Sequence, residues 1–461
     1  MEQLIEFLKI KSVSAQDKYK PEMKRAREFL VKNFKDLGFT TRILKGKKHD
    51  AVFAQRVANP KVPTVLIYGH YDVQPPEPLD QWKSDPFNPV IKKGKIFARG
   101  ATDNKGQFMA QFMAVRELLT SDRGINLNLK FLVEGEEEIG SVSIEAIAKK
   151  YATSLLAADL IVVSDSEMYE KGLPTIDVNL RGLTYAEIFL RSGKGDVHSG
   201  QFGGVAPNPA IELARIIAKL KNEEGKILVP GFYDDVEKPT DKELADFKNL
   251  PVSKEKLMQE GGMFYVDGGE KSYSLNERRW VRPTLDVNGI TSGYQGEGSK
   301  TIIPAEASAK ISMRLVPNQN PDKVFALFSK YVKSMIPKGM KARIVNHSSA
   351  LPYKAPVDAP VFELMKQSLK RVHGVNAVFG GVGGSIGFVP IVAKALGVPC
   401  LMVGFGLPDE NLHAPNEHFR IDNYIKGIRT MTDFYHHLTA SSIYRPFWKG
   451  KRSVVRVRHR Y

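Results

Sequence analysis

Two histidines and several carboxylates each follow a short apolar run that is typical of a buried strand. They are His70, Asp103, the acidic cluster at 136–138, Asp165 and His413. In an open α/β sheet the carboxyl ends of the strands converge on one crevice, so these groups are expected to meet there. Carboxylates that meet in this way repel one another, and divalent cations relieve the repulsion. Imidazole and carboxylate ligands without a thiolate suit zinc, manganese or cobalt, and there are enough of them for two metals bridged by one carboxylate.

The stretch at residues 65–73 shows how one such segment would work. An apolar run ends in Gly69, and His70 and Asp72 follow with one residue between them. On an extended segment these two side chains point to the same side, and a carboxylate that accepts one ring N–H leaves the other nitrogen for a metal. Each residue alone also has an ordinary interpretation, since His-x-Asp pairs are common and Asp103 would serve as a helix N-cap. The convergence of all five segments on one site is harder to explain by chance than any one of these residues alone.

Composition indicates a globular protein of two or three domains. The chain has 461 residues, of which 42% are hydrophobic and 26% charged, and no apolar run reaches membrane-spanning length. The N-terminal residues predict an amphipathic helix, not a signal peptide. The single cysteine, Cys400, excludes an intrachain disulfide and lies in a predicted buried strand. A cytoplasmic location is therefore expected.

The formal net charge of +16 raises the question of nucleic-acid binding. Seven Lys/Arg and no acid lie within residues 445–461, where basic and apolar residues alternate at the end of the chain. This tail could be an edge strand or an anion-binding arm, but we favour a solvated or lightly docked terminus. The sequence contains no zinc-finger, RNP-type or helix-turn-helix pattern, so nucleic acid is an unlikely partner. Binding of polyanions through the tail remains compatible with catalysis.

The order of the predicted elements indicates an α/β fold. Alternating strands and helices over the first and last parts of the chain predict a mostly parallel, doubly wound catalytic sheet with helices on both faces. Between them, a β-α-β-β-α-β order resembles a ferredoxin-like α+β sandwich. We therefore predict a catalytic domain in two parts, 1–176 and 353–461 with the basic tail, and an inserted lid or dimerisation domain, 177–352.

The chemistry-bearing segments resemble the M20 metallopeptidases, particularly the dipeptidase/carnosinase-like branch. The resemblance covers both parts of the predicted catalytic domain and continues through the inserted domain. It is carried, in the family's order, by the motifs Gly69-His70-Tyr71-Asp72-Val73-Gln74-Pro75, Arg99-Gly100-Ala101-Thr102-Asp103-Asn104-Lys105-Gly106, Glu134-Gly135-Glu136-Glu137-Glu138-Ile139-Gly140-Ser141, Ser164-Asp165, Asp196-Val197-His198-Ser199-Gly200, Arg314-Leu315-Val316-Pro317 and His413-Ala414-Pro415-Asn416-Glu417.

The resemblance implies two divalent metal ions per subunit, zinc before manganese or cobalt. It implies that His70 and Asp165 bind one metal, that Glu138 and His413 bind the other, and that Asp103 bridges the two.

The resemblance also implies the catalytic groups. Asp72 would orient His70, and Glu137 would be the general base that deprotonates the water between the metals. The assignment depends on the alignment of Glu-Glu-x-Gly-Ser, and a shift by one residue would make Glu136 the base instead.

Three further residues are expected to contact the substrate. His198 would donate to the developing oxyanion, in the family from the partner subunit of a dimer, or would simply be a turn histidine. Arg314 would clamp a substrate carboxylate, or would be a solvated strand residue. Ser385 lies in the glycine-rich stretch 381–387, whose backbone N–H groups could hold a carboxylate. A phosphate site is less well supported, because no P-loop Gly-Lys-Ser/Thr follows.

The expected reaction is metal-dependent hydrolysis of amide bonds in dipeptides or short peptides by a homodimer. The alternative is an N-acyl amino-acid deacylase of the acetylornithine or succinyl-diaminopimelate type, which would share every metal ligand. The segment around Tyr71 and the long insertion favour the dipeptidase, while Ala414-Pro415 replaces the Ser-Gln of relatives and would alter the pocket wall. A non-catalytic binding protein on the same scaffold has little support, because neither a ligand nor Glu137 is lost.

Overall fold

The computed structural model describes residues 1–57, 59, 61–121, 124–250 and 252–440. The predicted basic tail at 445–461 lies outside these residues. Within them, no helix is both long and apolar enough to cross a membrane.

The strands and helices of the described chain alternate in its first and last parts. The strands are β1 (Thr40–Leu44), β2 (Ala51–Arg56), β3 (Thr64–His70), β4 (Val90–Lys92), β5 (Lys95–Phe97), β6 (Asn128–Glu134), β7 (Leu160–Val163), β8 (Thr175–Leu180), β9 (Gly182–Arg191), β10 (Val197–His198), β11 (Thr284–Ser292), β12 (Ile302–Ile303), β13 (Glu306–Leu315), β14 (Lys341–Ala350), β15 (Tyr353–Lys354), β16 (Val378–Val382), β17 (Cys400–Val403) and β18 (His418–Arg420). The α-helices are α1 (Glu2–Leu8), α2 (Lys20–Asp36), α3 (Lys105–Thr120), α4 (Ile144–Tyr151), α5 (Ser199–Phe202), α6 (Pro209–Ala218), α7 (Asp241–Asn249), α8 (Lys254–Gly261), α9 (Leu275–Trp280), α10 (Pro321–Ser334), α11 (Pro360–His373), α12 (Phe388–Leu396) and α13 (Ile421–Ala440).

The chain divides into two compact units. The first consists of Met1–Val178, Ala355–Gly380 and the described residues from Gly387 onward, and the second of Asn179–Lys354 with Gly381–Ile386. The expected boundaries at 176/177 and 352/353 each lie two residues before the divisions between these units, and β8 spans both positions of the first boundary. The short segment Gly381–Ile386, which the sequence places in the catalytic domain, groups with the second unit.

The first unit is built on a large mixed sheet. Its strands follow the order β1-β2-β6-β3-β7-β17-β8. The four central strands, β6, β3, β7 and β17, are parallel to one another, whereas β1, β2 and β8 pair antiparallel at the two sides. The predicted α/β fold is confirmed, with the parallel arrangement confined to the centre of the sheet.

An aromatic cluster packs α2 and α3 against this sheet. The ring of Phe34 on α2 lies 4.9 Å from that of Phe131 on β6 and 5.5 Å from that of Phe112 on α3, measured between centroids. All three side chains are buried. Since α3 begins at Lys105, two residues after Asp103, this packing also helps to fix the loop that carries a predicted metal ligand.

The second unit is an α+β sandwich. Its antiparallel sheet has the order β11-β13-β9-β14. These four strands and the helices α6 and α10 follow one another along the chain as β9-α6-β11-β13-α10-β14, the expected β-α-β-β-α-β order, with the shorter elements β10, β12, α5 and α7–α9 between them. Apolar side chains of α6 and α10, such as Leu213 and Phe328, are buried with Ile188 and Ile311 of the central strands. The predicted role of this unit as a lid stays a prediction.

A buried carboxyl group in β8 makes the stability of the first unit depend on pH. Asp177 is 3% exposed and accepts a hydrogen bond of 2.5 Å from the Ser166 hydroxyl. Burial raises its pKa from 3.8 to about 7, although the Ser166 bond opposes the shift. The folded state therefore holds this proton more tightly than the unfolded chain, and the contribution to stability is lost as the pH rises from about 4 to about 7.

Asp177→Asn is expected to reduce this pH dependence. The wild-type free energy of unfolding should fall by roughly 2–4 kcal/mol more than that of the variant between acidic and neutral pH. Urea unfolding at a series of pH values measures the difference, and all other titrating groups are common to both proteins. Parallel stability curves for the two proteins would contradict the prediction.

Candidate metal centre

The predicted ligands lie where strands of the first unit end. His70 is the last residue of β3, and Asp165 follows β7 after one residue. Glu138 lies in a short 3₁₀ turn, Glu137–Ile139, just after β6. Asp103 precedes α3, and His413 lies in the segment between β17 and β18. Because the central strands are parallel, their carboxyl ends share one edge of the sheet.

One group of ligands forms around His70. Its Nε2 lies 3.2 Å from Asp103 Oδ1 and 3.6 Å from Asp165 Oδ1. One ligand atom from each of the three residues lies within 4.8 Å of the others, which is close enough to hold one metal ion.

A second group forms around His413. Its Nε2 lies 2.9 Å from Asp103 Oδ2 and 3.3 Å from Glu138 Oε2, and these three ligand atoms also lie within 4.8 Å of one another. Asp103 thus belongs to both groups and turns one oxygen toward each histidine. The N-cap of α3 is Asn104, so Asp103 does not take the N-cap position that its sequence context also allows.

The buried polar atoms of the centre fit divalent cations. Among the described residues, His70 Nε2 and Glu138 Oε1 are buried and have no well-aligned hydrogen-bond partner. Lone pairs that are buried without a donor are costly in a folded protein, and a cation accepts them. The donor set of two imidazoles and three carboxylates without a thiolate suits the same ions.

The electrostatics of the centre show how strongly its groups interact. Burial lowers the pKa of His70, but Asp165, Asp103 and Asp72 outweigh it and raise the pKa well above its usual value. Burial raises the pKa of Glu138, and the charge of Asp103 raises it further. The negative charges of these carboxylates repel one another at short range, and a positive charge between them reduces the repulsion.

Asp72 lies beside His70, but its contacts differ in detail from those expected. The Nδ1 atom of His70 lies 3.0 Å from the backbone oxygen of Asp72 and 3.4 Å from its carboxylate. The carboxylate accepts the backbone N–H of Glu137 at 3.3 Å and of Glu138 at 3.1 Å. Asp72 therefore contacts both the histidine and the turn that carries the two glutamates.

The adjacent glutamates 136 and 137 have different surroundings. Glu136 is buried, and its Oε1 accepts the backbone N–H groups of Lys48 and His49 at 2.7 and 2.8 Å. Burial raises the pKa of Glu137 well above its usual value, and the charges of Asp165 and Asp103 raise it further. Glu137 thus lies in the field of the ligand carboxylates, whereas Glu136 holds a backbone turn.

Two amide side chains donate hydrogen bonds to predicted ligands, contacts that the sequence does not predict. Gln74 Nε2 donates to Glu138 Oε2 at 2.7 Å. Asn104 Nδ2 donates to Asp165 Oδ1 at 2.7 Å and to the Ser164 carbonyl at 2.6 Å. Both lie within the motifs that carry the family resemblance, and their proximity in sequence to His70 and Asp103 is the signal that could have identified them.

The predicted substrate contacts lie in the second unit, where Arg314 and Ser385 meet. Arg314 Nη1 donates to Ser385 Oγ at 3.3 Å, and Ser385 Oγ donates to the Arg181 carbonyl at 2.5 Å. Burial, together with the charge of Arg314, lowers the pKa of Arg181 to about 10. Arg181 is thus a further cation of this cluster that sequence analysis missed.

His198 is an exposed residue of the second unit, at the end of β10. Its Nδ1 accepts the backbone N–H of Gly200 at 3.0 Å. In the neutral ring this hydrogen bond leaves the proton on Nε2, which makes Nε2 a donor.

A family profile matches most of the chain. The profile of peptidase family M20/M25/M40 matches residues 66–437, a range that includes every residue of both ligand groups.

Relatives and solved structures agree with this match over nearly the whole chain. The Cys-Gly metallodipeptidase dug1 of Schizosaccharomyces pombe is 31% identical over 454 residues, 94% of this chain and 94% of the relative. The Beta-Ala-His dipeptidase of Rattus norvegicus is 30% identical over 84% of this chain and 80% of its own length. The crystal structure of the M20 family metallo-carboxypeptidase Sso-CP2 from Sulfolobus solfataricus superposes with a TM-score of 0.86 at 36% identity, covering 95% of this chain and 99% of that one.

Proposed function

Because the chain belongs to peptidase family M20/M25/M40, and is therefore an enzyme that cleaves peptide bonds, we propose that it is a metal-dependent dipeptidase with a dinuclear centre. One observation carries the dinuclear proposal: Asp103 is shared by two ligand groups, each completed by a different histidine. A carboxylate with one oxygen toward each site is the bridge that a pair of metal ions requires.

His70 and Asp165 hold one divalent cation in this proposal, Glu138 and His413 hold the other, and Asp103 contacts both. Zinc suits these ligands best, and manganese and cobalt are compatible with them. When bound, the cations supply Lewis acidity, which polarises a carbonyl group and makes a water molecule more acidic.

Glu137 is the general base in this proposal. It accepts the proton of the attacking water and delivers it to the leaving amine. Glu136 is poorly suited to that task, because two backbone N–H groups occupy its buried Oε1 atom. Asp72 positions both a metal ligand and the general base, since its carboxylate contacts the His70 ring and accepts the backbone N–H of Glu137.

The second unit supplies the substrate contacts in this proposal. Arg314 binds the terminal carboxylate of the substrate, and Ser385, which Arg314 already contacts, helps to hold it. His198 donates from Nε2 to the oxyanion that forms on the carbonyl oxygen. The names of the relatives support dipeptides as substrates, because two of them are dipeptidases.

A substrate panel with controlled metal content tests the proposal. Dipeptides should be hydrolysed faster than N-acetyl- or N-succinyl-amino acids and faster than tripeptides. Removal of metal with a chelator should abolish hydrolysis to the background rate, a loss of about 10³-fold or more. Addition of zinc or manganese to the stripped enzyme should restore it.

Each result of the panel has a separate meaning. Activity that survives complete metal removal would overturn the metal-dependent mechanism. Preference for N-acyl amino acids would replace the dipeptidase with the deacylase that shares the ligand set. Stepwise removal of C-terminal residues from longer peptides would replace it with a carboxypeptidase, the activity named for Sso-CP2.

We also propose a homodimer that forms through the second unit. In the described chain β11 is an edge strand, paired only with β13, and its Val287 and Ile290 are 39% and 61% exposed. An edge with exposed apolar residues favours pairing with a second copy. Ile290→Lys should shift the molar mass measured by light scattering from dimer toward monomer, whereas a wild-type monomer would contradict the proposal.

We also propose that the enzyme is cytoplasmic. The single cysteine, Cys400, is buried, so the chain forms no intrachain disulfide of the kind that stabilises many secreted domains. Fractionation of cells that express the protein at native level tests this location.

A further inference from the structure

One buried carboxylate collects hydrogen bonds from the whole loop that precedes α3. Glu417 is fully buried. Its Oε2 accepts the backbone N–H of Gly100 at 2.9 Å and the Arg99 guanidinium at 2.9 Å. Its Oε1 accepts the backbone N–H groups of Thr102 and Asp103 at 3.0 and 3.1 Å.

These backbone N–H groups need an acceptor. They lie in a buried loop just before the first turn of a helix, where backbone donors have no partner within the helix. Successive N–H groups of this kind form an anion-binding concavity. Here the carboxylate of Glu417 fills it, and the buried guanidinium of Arg99 balances its charge.

Glu417 also connects two ligand segments. It lies four residues after His413 in the sequence, and it binds the backbone of Asp103 directly. The distance between His413 Nε2 and Asp103 Oδ2, 2.9 Å, therefore depends on a hydrogen-bonded link between their two loops. Glu410 strengthens the same link from the other side of His413, because it accepts the Thr102 hydroxyl at 2.5 Å.

We propose that Glu417 is a positioning residue that holds Asp103 and His413 in the arrangement needed for one of the two metal ions. The inference rests on the proposed dinuclear centre and extends it to a residue that touches neither substrate nor metal. Interactions that orient ligands typically contribute 10- to 100-fold to metal affinity.

The effect should be selective for the site that His413 completes. The other group has its own support, because Asn104 binds the Asp165 carboxylate and the neighbouring Ser164 carbonyl. Loss of the Glu417 contacts therefore weakens one site strongly and the other only through the shared Asp103.

Glu417→Gln tests the inference, because it keeps the size of the side chain but removes its charge and one acceptor atom. Zn²⁺ is titrated into the stripped full-length protein in competition with a chromophoric chelator. Wild type should bind two ions per chain. The variant should bind one with affinity close to that of wild type and the second about 10- to 100-fold more weakly. The zinc concentration that restores half of the dipeptidase activity should rise by the same factor.

A matched control separates positioning from general stability. Asp433 accepts a bidentate hydrogen bond from Arg371, Nε to Oδ1 and Nη2 to Oδ2, between α11 and α13, and it belongs to neither ligand group. Asp433→Asn should lower the Tm of the metal-free protein and leave both zinc affinities unchanged. If Glu417→Gln does not fold, Glu417→Asp keeps the charge but shortens the reach toward the loop, and it should weaken the same zinc site.

The outcomes distinguish this inference from the function on which it rests. Two zinc affinities equal to those of wild type in the folded Glu417 variant, with only a lower Tm, would overturn the positioning role alone. Equal weakening of both sites would overturn its selectivity. Wild-type protein that binds no zinc, or a single ion, would overturn the proposed dinuclear centre itself.

Discussion

Replacing Glu137 with glutamine is expected to lower kcat for dipeptide hydrolysis by about 10³-fold, because the proposed general base is lost while the shape of the side chain is kept. The KM should change little, and the protein should still bind two metal ions, since Glu137 is not among the proposed ligands. Steady-state kinetics at saturating metal, together with metal analysis of the purified variant, measure both quantities.

The neighbouring glutamate provides the control for this substitution. Glu136→Gln weakens the contacts to the backbone at Lys48 and His49, so it should lower the Tm and reduce kcat far less than Glu137→Gln does. A larger loss of kcat in Glu136→Gln than in Glu137→Gln would assign the general base to Glu136, the alternative that follows from shifting the motif alignment by one residue.

The largest loss is expected from Asp103→Asn. This carboxylate takes part in both ligand groups. Its removal should therefore lower the affinity for both metal ions and reduce kcat/KM by about 10⁴-fold. Metal analysis should find fewer than one ion per chain under conditions in which the wild type holds two.

His413→Ala is the comparison for Asp103→Asn, because His413 belongs to one group only. It should leave one ion bound and should lose less metal than Asp103→Asn. A variant at Asp103 that retains two tightly bound ions would show that this residue is not the bridge.

The sequence predicts the central strands and the convergence of two of the proposed ligands for a shared physical reason. Short apolar runs with polar ends specify buried strands, and the runs that precede His70 and Asp165 form β3 and β7. In a parallel arrangement the polar residue after each run must lie at the carboxyl edge. His70 and Asp165 are therefore close together in the structure although they are far apart in sequence. Asp103 is not explained by this rule, because the strand before it, β5, pairs antiparallel with β4 and β18 in a separate sheet.

The helices of the long insertion were missed. From its sequence we interpret the stretch at about 223–283 only as a charged, glycine-bearing insertion, yet it contains α7, α8 and α9. Capping boxes begin two of them, with Thr240 bound to Glu243 and Ser274 bound to Glu277. A capping box is a sequence pattern that marks the start of a helix, so these two helices could have been predicted from it. Helices of six to nine residues are, however, too short to be identified by apolar periodicity.

The partners of buried polar groups cannot be predicted from periodicity at all. Glu417 is the last residue of the motif that begins at His413, but its carboxylate accepts the backbone N–H of Asp103, 314 residues earlier in the chain. Similarly, Arg181 meets Ser385 across 204 residues. Such contacts depend on how the loops close in three dimensions, which local sequence patterns do not encode.

The three consecutive glutamates after β6 illustrate a constraint on how this protein can change over evolution. Glu136 binds a backbone turn, Glu137 lies in the field of the ligand carboxylates, and Glu138 lies beside His413. Asp72, which precedes Glu137 by 65 positions, fixes this order because its two oxygens bind consecutive backbone N–H groups. An insertion or deletion of one residue here would keep the composition but reassign every side chain to its neighbour's place. We therefore expect this turn to accept substitutions at individual positions more readily than any change in its length.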